Sequence, residues 1–395
     1  MFPSFVPDKA RPLARRYHLI PSIFAVCLAG TVLPPNLFNI LSVTTSALYL
    51  SVQIPAATSG TIPEDYMLPI QALLFITQWV DFCVVHSPAE FSRDKDKEKV
   101  PKTWLEKLRW SWSLNTTFRG IGWNWKVKNV PEAAPLSTTR WAFVRTEVLK
   151  ACAWYLLFDL CFYPINSSRY ATASPPDFFS DSLLRQAFLA WMVGIGDYCT
   201  FNLQYSLGSA LLVAVSLCTP QDCPPLMGRL REVSTVRDFW GKFWHQNLRR
   251  RLTLPFNLLT KYITIPRGTL VSRYTQLYLT FIATTLVHHS GAMNITSTSS
   301  ENNLNQVAFF MLQPVAITFE DFVIYLGKKA EVKESRLTRA LGSLWTFAWF
   351  TYTLRYAFAF LANTGMFATS VLPSVIQGTL GLIKRYSGGP GLKEL

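Results

Sequence analysis

Apolar stretches of membrane-spanning length recur along most of this chain of 395 residues. A helix needs about 20 mostly apolar residues to cross the hydrocarbon layer of a bilayer. Such stretches lie at residues 18–33, 36–55, 66–85, 143–165, 183–217, 270–289, 307–326 and 341–362. Because 183–217 is too long for one crossing, we expect a break near residues 194–202. The pattern predicts an all-α, polytopic integral membrane protein with about eight or nine transmembrane helices and a short terminal helix at 376–383.

The composition supports the same class of protein. Charged residues make up 16% of the chain and hydrophobic residues 50%. Soluble domains carry about 25% charged residues, so an ordinary cytosolic enzyme is disfavoured. The net charge of +14 is compatible with nucleic-acid binding, but in an apolar chain it is typical of basic loops facing the cytosol. We therefore expect the lipid bilayer as a partner, no nucleic acid, and no metal, because no Cys/His spacing suits zinc.

The segment 92–139 differs from the apolar stretches on either side of it. Trp104, Leu105, Leu108 and Trp112 repeat at helical spacing among Lys and Arg residues, which predicts an amphipathic helix lying in the membrane interface. The run RGIGWNWKVK at 119–128 places tryptophans beside basic residues, which is typical of the headgroup zone. We interpret 92–139 as a cytosolic or interfacial segment that follows the N-terminal transmembrane helices of residues 1–91.

Three glycosylation sequons occur, at Asn115, Asn166 and Asn294. They predict a glycoprotein only where the asparagine faces the lumen. Asn115 lies beside the basic segment that we place in the cytosol, so we expect no glycan there.

Histidines stand out because placing an ionisable side chain at the centre of a membrane costs at least about 2.5 kcal/mol of insertion free energy. His288 and His289 end an apolar stretch, and neighbours on a helix point about 100° apart, so only one of them can face a given cavity. A neutral imidazole there can act as a general base. The alternative is an interfacial pair of histidines satisfied by water.

Two further polar groups have a structural and a functional interpretation. The run DFWGKFWHQNLRRR at 238–251 includes His245 and Asn247 and predicts an amphipathic helix with an aromatic side and a basic end; the alternative is an interfacial anchor. Gln313 and Glu320 are seven residues apart and therefore share one helix face. They suit either a functional site or a polar clamp between helices.

Four short runs, taken in order, resemble the membrane-bound O-acyltransferases, specifically the wax-synthase-like branch common in fungi. The runs are RGIGW at 119–123, DFWGKFWHQ at 238–246, the apolar helix 281–288 that ends in His288, and FFMLQPVAITFED at 309–321. LGSLW at 341–345 also fits. The resemblance covers roughly residues 119–350 and places the acyltransferase core within 140–395. One departure concerns Thr284 and Thr285, which stand where Ser-Gly commonly precedes the histidine.

The resemblance implies transfer of an acyl group from acyl-CoA, with acetyl-CoA favoured, to the hydroxyl of a hydrophobic, terpenoid-like secondary metabolite. It places the catalytic histidine at His288, with His289 as a rival, and a second-site histidine at His245. His288 would act as the general base, and His245 or Asn247 would stabilise the oxyanion. Side chains that would pair with the phosphates of CoA are Lys242, Arg249, Arg250 and Arg251.

Other functions remain open from the sequence. A long-chain wax ester synthase belongs to the same branch, and a multi-pass transporter or receptor without catalysis is the alternative from another class. An intramembrane scaffold would leave the histidines without a role. We expect a multi-pass protein of the endoplasmic reticulum, and the sequence carries no indication of oligomeric state.

Overall fold

A computed structural model describes residues 11–14, 17–94, 101, 103–266, 268–295, 300–369 and 372–380. Helices dominate these residues, and none of them belongs to a β-strand. Two isolated bridges join Leu13 to Thr58 and Arg93 to Trp123. The all-α prediction is confirmed.

The longer helices follow the apolar stretches of the sequence. They are α1 (Leu19–Val32), α2 (Leu37–Ser51), α3 (Ile62–Val80), α4 (Trp104–Thr116), α5 (Arg140–Asn166), α6 (Leu183–Ala214), α9 (Leu254–Tyr262), α10 (Leu270–Met293), α11 (Ser300–Lys329) and α12 (Arg336–Asn363). Between α6 and α9 lie the single turns α7 (Val236–Asp238) and α8 (Arg249–Leu252). Two π-helical turns follow α3 and α7, at Asp81–Val85 and Phe239–Phe243.

Shorter 3₁₀ turns complete the described chain. They lie at Ile54–Ala56, Pro88–Glu90, Phe178–Ser180, Pro220–Asp222, Leu230–Glu232 and Met366–Ala368. Residues 375–380 are helical, as predicted for the terminal segment, and residues 381–383 of that prediction lie outside the described residues.

The chain divides into two compact units. One consists of Met1–Glu132 and Met227–Tyr356, and the other of Ala133–Leu226 and Ala357–Leu395. All residues of the predicted site, from Lys242 to Glu320, belong to the first unit.

The core of the first unit lies between α1, α3 and α4. Its buried members include Ile23 of α1, Trp79 of α3 and Leu114 of α4. The backbone of Gly30 approaches Trp79 so closely that a Cβ there would lie 2.4 Å from the indole nitrogen. Glycine is therefore required for α1 to pack against α3.

The second unit is built around α5 and α6, which pack along each other. Tyr170, Phe178 and Phe358 are buried together, with the ring centroids of Phe178 and Phe358 4.5 Å apart. The Asp159 carboxylate of α5 accepts a hydrogen bond of 2.9 Å from the backbone N–H of Ile376. This bond caps the terminal helix and joins it to α5.

Four helical segments in the described ranges are long and apolar enough to cross a membrane: Leu37–Ala56, Ile62–Val85, Arg140–Asn166 and Leu304–Lys329. They agree with four of the predicted stretches, and the chain is a membrane protein of the predicted all-α class. α1 is shorter than expected, since its 14 residues extend only about 21 Å at 1.5 Å per residue.

The predicted break in the stretch 183–217 is wrong. α6 runs without interruption for 32 residues, from Leu183 to Ala214. Gly194 and Gly196 do not interrupt it, because a lone glycine weakens a helix by only about 1 kcal/mol and the segment contains no proline. This stretch therefore forms one element and not two crossings.

The predicted single amphipathic helix over residues 238–251 is also wrong. The segment divides into the last residue of α7, a π turn, an irregular stretch at 244–248 and the start of α8. The run at 119–128 also differs from the prediction, because Arg119 and Trp123 are buried (4% and 3% exposed) in the first unit instead of lying at its surface.

α4 agrees with the amphipathic prediction. Its buried residues are Ser111, Leu114 and Asn115, while Trp104, Leu105 and Trp112 are exposed. Residues 95–100 and 102 of the preceding charged loop lie outside the described residues.

Two of the three sequons are inaccessible to glycosylation. Asn115 and Asn294 are 3% and 4% exposed, respectively. The Asn115 amide donates to Thr31 and to the carbonyl of Ser111, and the Asn294 amide donates to the carbonyl of Asp65. Asn166, at the end of α5, is half-buried, and its glycosylation stays a prediction.

Candidate active site

His288 lies on α10, half-buried, with partners on two other helices. Its ring stacks on Phe310 of α11, with centroids 4.5 Å apart and planes at 21°. Its Nδ1 is 3.2 Å from Oη of Tyr66 on α3. Stacking on α11 thus fixes the plane of the imidazole, and the hydrogen bond to α3 holds its Nδ1. A part of the ring surface stays accessible.

The approach of α3 to α10 depends on Gly291, one turn after His288. A Cβ at Gly291 would lie 2.5 Å from the carbonyl oxygen of Tyr66 and 2.7 Å from its ring. Only glycine allows so close a contact between these backbones. The same tyrosine hydroxyl accepts a hydrogen bond of 2.7 Å from Nε2 of Gln306 on α11.

His245 lies in irregular backbone directly after the π turn Phe239–Phe243. Isolated π turns are frequent at functional sites because they redirect the side chains that follow. Burial, and then the nearby charges of His288 and Arg119, lower the pKa of His245 to about 4. His245 is therefore a neutral imidazole at neutral pH, within electrostatic range of His288.

Trp240 connects the two histidine-bearing parts of the chain. Its ring lies 5.9 Å from Phe281 of α10 and 6.3 Å from Phe309 of α11, measured between centroids. Its indole N–H donates a hydrogen bond of 3.3 Å to Oε1 of Gln313. The structure thus brings together His245, His288 and Arg119, which are widely separated in the sequence. Two neutral imidazoles in one partly desolvated place can accept and donate protons around a carbonyl group.

Gln313 and Glu320 hold the segment that carries His245. Gln313 is fully buried and contacts Trp240. The Glu320 carboxylate accepts hydrogen bonds from the backbone N–H groups of Val236 (2.6 Å) and Arg237 (3.2 Å) and from Nε1 of Trp345 (2.9 Å). The two residues share a face of α11 as expected, and their contacts are those of the predicted polar clamp.

Substituting Glu320→Gln should lower the thermal unfolding midpoint of the protein. An amide in place of the carboxylate turns its NH₂ group toward donors and leaves a buried N–H unsatisfied, which costs about 1–3 kcal/mol. Unfolding of the detergent-extracted protein measures the midpoint, with the exposed Glu334→Gln as the control. An unchanged midpoint in Glu320→Gln would show that these contacts do not stabilise the segment.

His289 and Asn247 lie beside the two central histidines. His289 follows His288 on α10 and is half-buried, and its Nδ1 is buried without a hydrogen-bond partner. Asn247 is half-buried in the turn that leads into α8. Phe310 and Tyr66 position His288 and not its neighbour.

The basic residues after His245 differ in their surroundings. Arg250 pairs with Asp81, which is 2% exposed, and its guanidinium lies 5.0 Å from the ring of Phe91 and 5.1 Å from that of Trp125. Arg251 donates to Gln78 and lies over Phe118. Both arginines thus contact α3 and the segments that follow it.

Lys242 and Arg249 are held less tightly. Lys242 is half-exposed and pairs with Asp238 at 2.7 Å. Arg249 donates to the carbonyl of Gly241 (3.1 Å) and to Oε1 of Gln246 (2.8 Å). Within the described ranges, no three His, Cys, Asp or Glu side chains lie together in a way that would hold a metal ion.

Sequence reasoning missed Tyr66, Gln306 and Asp81. Asp81 had a usable signal, because a carboxylate within an apolar stretch needs a partner. Tyr66 and Gln306 had none, since no motif marks either residue and only the fold brings them to His288.

Comparisons with known proteins give a family match over the part of the chain that carries both histidines. The sequence model described as the membrane bound O-acyl transferase family matches residues 223–312, which include both His245 and His288. No solved structure matches the chain.

Three fungal relatives extend the match over most of the chain. Acetyltransferase ple2 of Rhodocybe pseudopiperita is 29% identical, over 83% of this chain and 87% of its own length. Acetyltransferase sirH of Emericella nidulans is 27% identical, over 88% and 84%. Acetyltransferase pyr8 of Aspergillus fumigatus is 26% identical, over 92% and 90%. These matches favour an enzyme over the alternatives of a transporter, a receptor or a scaffold, and they support an O-acyltransferase that is similar to the membrane-bound family.

Proposed function

We propose that the protein is an acetyl-CoA-dependent O-acetyltransferase that acetylates a hydroxyl group on a hydrophobic, terpenoid-like secondary metabolite. The proposal of acetyl as the acyl group is supported by the relatives, which are named acetyltransferases. The proposal of a hydrophobic acceptor is supported by the membrane character of the fold, since an apolar alcohol partitions into the bilayer.

The observation that carries the proposal is the convergence of His288 with His245. His288 comes from a helix and His245 from an irregular segment 43 positions earlier in the sequence. They lie close enough for His288 to lower the pKa of His245. Such a pair suits a reaction that needs both a proton acceptor and a hydrogen-bond donor.

In the proposed reaction, Nε2 of His288 accepts the proton of the acceptor hydroxyl while the oxygen attacks the thioester carbonyl. A positioned general base typically contributes 10²–10⁴-fold in rate. The carbonyl oxygen becomes an oxyanion, to which the neutral His245 donates a hydrogen bond. Collapse of the tetrahedral intermediate breaks the carbon–sulfur bond, and the thiolate of CoA takes the proton back from His288. The products are the acetyl ester and free CoA.

We propose that Lys242 and Arg249 contact the phosphates of CoA. Lys242 is half-exposed beside the segment of His245, and Arg249 starts the next helical turn. Arg250 and Arg251 already have partners in Asp81 and Gln78. We therefore assign these two arginines to fixing the site on α3, although the sequence pattern had grouped all four cations together.

The substitution Lys242→Ala should raise the KM for acetyl-CoA about 3- to 10-fold and leave kcat nearly unchanged. An exposed charge-assisted contact with a phosphate contributes roughly 1 kcal/mol, and it acts equally on bound substrate and transition state. Initial rates at varied acetyl-CoA concentration measure it, with the exposed Lys328→Ala as the control. An unaltered KM in Lys242→Ala would remove Lys242 from the phosphate site.

Microsomes containing the protein test the proposed function. They are incubated with radiolabelled acetyl-CoA or palmitoyl-CoA, each with a panel of hydroxylated terpenoids or with long-chain primary alcohols. We expect label from acetyl-CoA in terpenoid esters. Label transferred only from palmitoyl-CoA to long-chain alcohols would instead identify a wax ester synthase.

We also propose that the protein is a multi-pass protein of the endoplasmic reticulum. Co-fractionation with a marker of that membrane tests this location.

A further inference from the structure

We propose that Tyr66, together with Gln306, is a positioning residue that fixes the tautomer of His288 and so makes its Nε2 a base. This inference rests on the proposed role of His288 as the general base. It concerns residues of α3 and α11 outside the runs on which the family resemblance depends.

Three polar side chains from three helices form a continuous chain of hydrogen bonds. Gln306 Nε2 lies 2.7 Å from Tyr66 Oη, and Tyr66 Oη lies 3.2 Å from His288 Nδ1. Both distances are those of ordinary hydrogen bonds. The chain ends on the ring nitrogen of His288 that is not needed for catalysis, since Nε2 lies on the opposite side of the imidazole.

Gln306 fixes the hydroxyl of Tyr66. Gln306 is 4% exposed, and its Nε2 donates to Tyr66 Oη. A phenol oxygen has two lone pairs. Tyr66 Oη can therefore accept from Nε2 of Gln306 and from Nδ1–H of His288 at the same time.

The direction of the bond between Tyr66 and His288 decides which tautomer His288 adopts. When Nδ1–H of His288 donates to Tyr66, the proton of the neutral ring lies on Nδ1. Nε2 then has a free lone pair for the alcohol proton. The opposite direction would place the proton on Nε2 and leave no base. A hydrogen bond at one ring nitrogen commonly sets the state of the other in this way.

The packing around Tyr66 separates its hydroxyl from its ring. The ring fills the space beside Gly291, where a Cβ would lie 2.7 Å from it. Tyr66→Phe keeps that ring and removes only the oxygen, so the variant preserves the contact between α3 and α10. A residue that served packing alone would tolerate this change.

Tyr66→Phe should lower kcat about 10- to 100-fold, taking as a guide the range for removing the hydrogen-bond partner of a metal-bound histidine. The KM for acetyl-CoA should stay the same. The assay uses microsomes, radiolabelled acetyl-CoA and the panel of hydroxylated terpenoids, with rates normalised to the amount of protein. Tyr278→Phe is the matched control, because its hydroxyl also joins α10 to α11, at 3.4 Å from Thr318.

Gln306 provides a second, independent variant. Gln306→Leu removes the N–H group that Tyr66 Oη accepts and should lower kcat with an unchanged KM, by less than Tyr66→Phe, because the tyrosine oxygen stays beside His288. Full kcat in Gln306→Leu, at normal protein amounts, would remove Gln306 from the positioning of His288.

The combination with His288→Ala separates this inference from the proposed function. Once the base is gone, adding Tyr66→Phe should have no further effect, because a positioning residue acts only through the residue that it positions. Full kcat in Tyr66→Phe, with His288→Ala inactive, would overturn the role of Tyr66 alone. Full activity in both single variants would overturn the assignment of His288 as well. A raised KM with unchanged kcat would show that Tyr66 contacts substrate instead.

Discussion

His288→Ala should lose acyl transfer by about 10²–10⁴-fold, the usual contribution of a positioned general base, whereas His289→Ala should retain activity within a few-fold. The two residues are adjacent on α10 and equally half-buried. They differ in their partners, because Phe310 and Tyr66 contact His288. Side chains of neighbouring helical residues point about 100° apart, so only one of them lies toward the site of His245.

The comparison is internally controlled, since both variants remove an imidazole from the same turn. Protein amounts in microsomes are matched by immunoblot, and rates are measured at saturating acetyl-CoA with the terpenoid panel. The reverse result, an inactive His289→Ala and an active His288→Ala, would transfer the role of base to His289. Equal activity in both would remove the base from α10 altogether.

Arg250→Ala should destabilise the protein by about 3–5 kcal/mol, the range for breaking a buried ion pair and leaving one charge unpaired. Asp81 is 2% exposed, and His86 also contacts it, at 3.0 Å. Without Arg250 the carboxylate loses its main cationic partner, and the rings of Phe82, Phe91 and Trp125 lose a cation that lies 5.0 to 5.6 Å from their centroids. The thermal unfolding midpoint of the detergent-extracted protein should fall strongly.

Arg229→Ala is the matched control for this prediction. Arg229 pairs with Glu232 at 3.8 Å, with both side chains more than half exposed, and exposed pairs contribute only about 0–1 kcal/mol. The surviving Arg250→Ala enzyme should keep the KM of the unmodified protein for acetyl-CoA. A normal unfolding midpoint combined with a KM raised tenfold would mean that Arg250 binds the phosphates of CoA and does not support the fold.

The lengths of the apolar stretches predicted most of the helices, because the hydrocarbon layer of a membrane demands both apolar side chains and a helix long enough to cross it. A span must be apolar over about 20 residues and must satisfy its own backbone. The lengths did not reveal that α6 is continuous. Glycines and Asp197 in the middle of α6 resemble a loop in composition, yet each still continues the backbone hydrogen bonds of a helix.

The segment around His245 could not be predicted from periodicity for another reason. Aromatic residues at 239, 240, 243 and 244 fit a helical face, but contacts from α11 determine the backbone there. Glu320 accepts a hydrogen bond from the backbone N–H at the start of the segment, and Gln313 accepts one from the indole N–H of Trp240. Tertiary contacts of this kind override local propensity.

The motif resemblance pointed to His288 and His245, while nothing in the sequence pointed to Tyr66. Tyr66 and His288 are 222 residues apart in the sequence. A tyrosine in an apolar helix is commonplace, since its ring packs and its hydroxyl finds some partner. Only the packing of α3 against α10 at Gly291 shows which partner that is.

Product identification tests the central claim most directly. Microsomes with the unmodified protein or with His288→Ala are supplied with acetyl-CoA carrying a deuterated acetyl group, together with the terpenoid alcohols, and the lipid extract is analysed by mass spectrometry. We predict an ester in which one deuterated acetyl group replaces the hydroxyl hydrogen of one alcohol, and this ester should be nearly absent with His288→Ala. The same ester in equal amount from both proteins, or no deuterated ester with any alcohol while palmitoyl-CoA supports ester formation, would contradict the proposed acetyl transfer by His288.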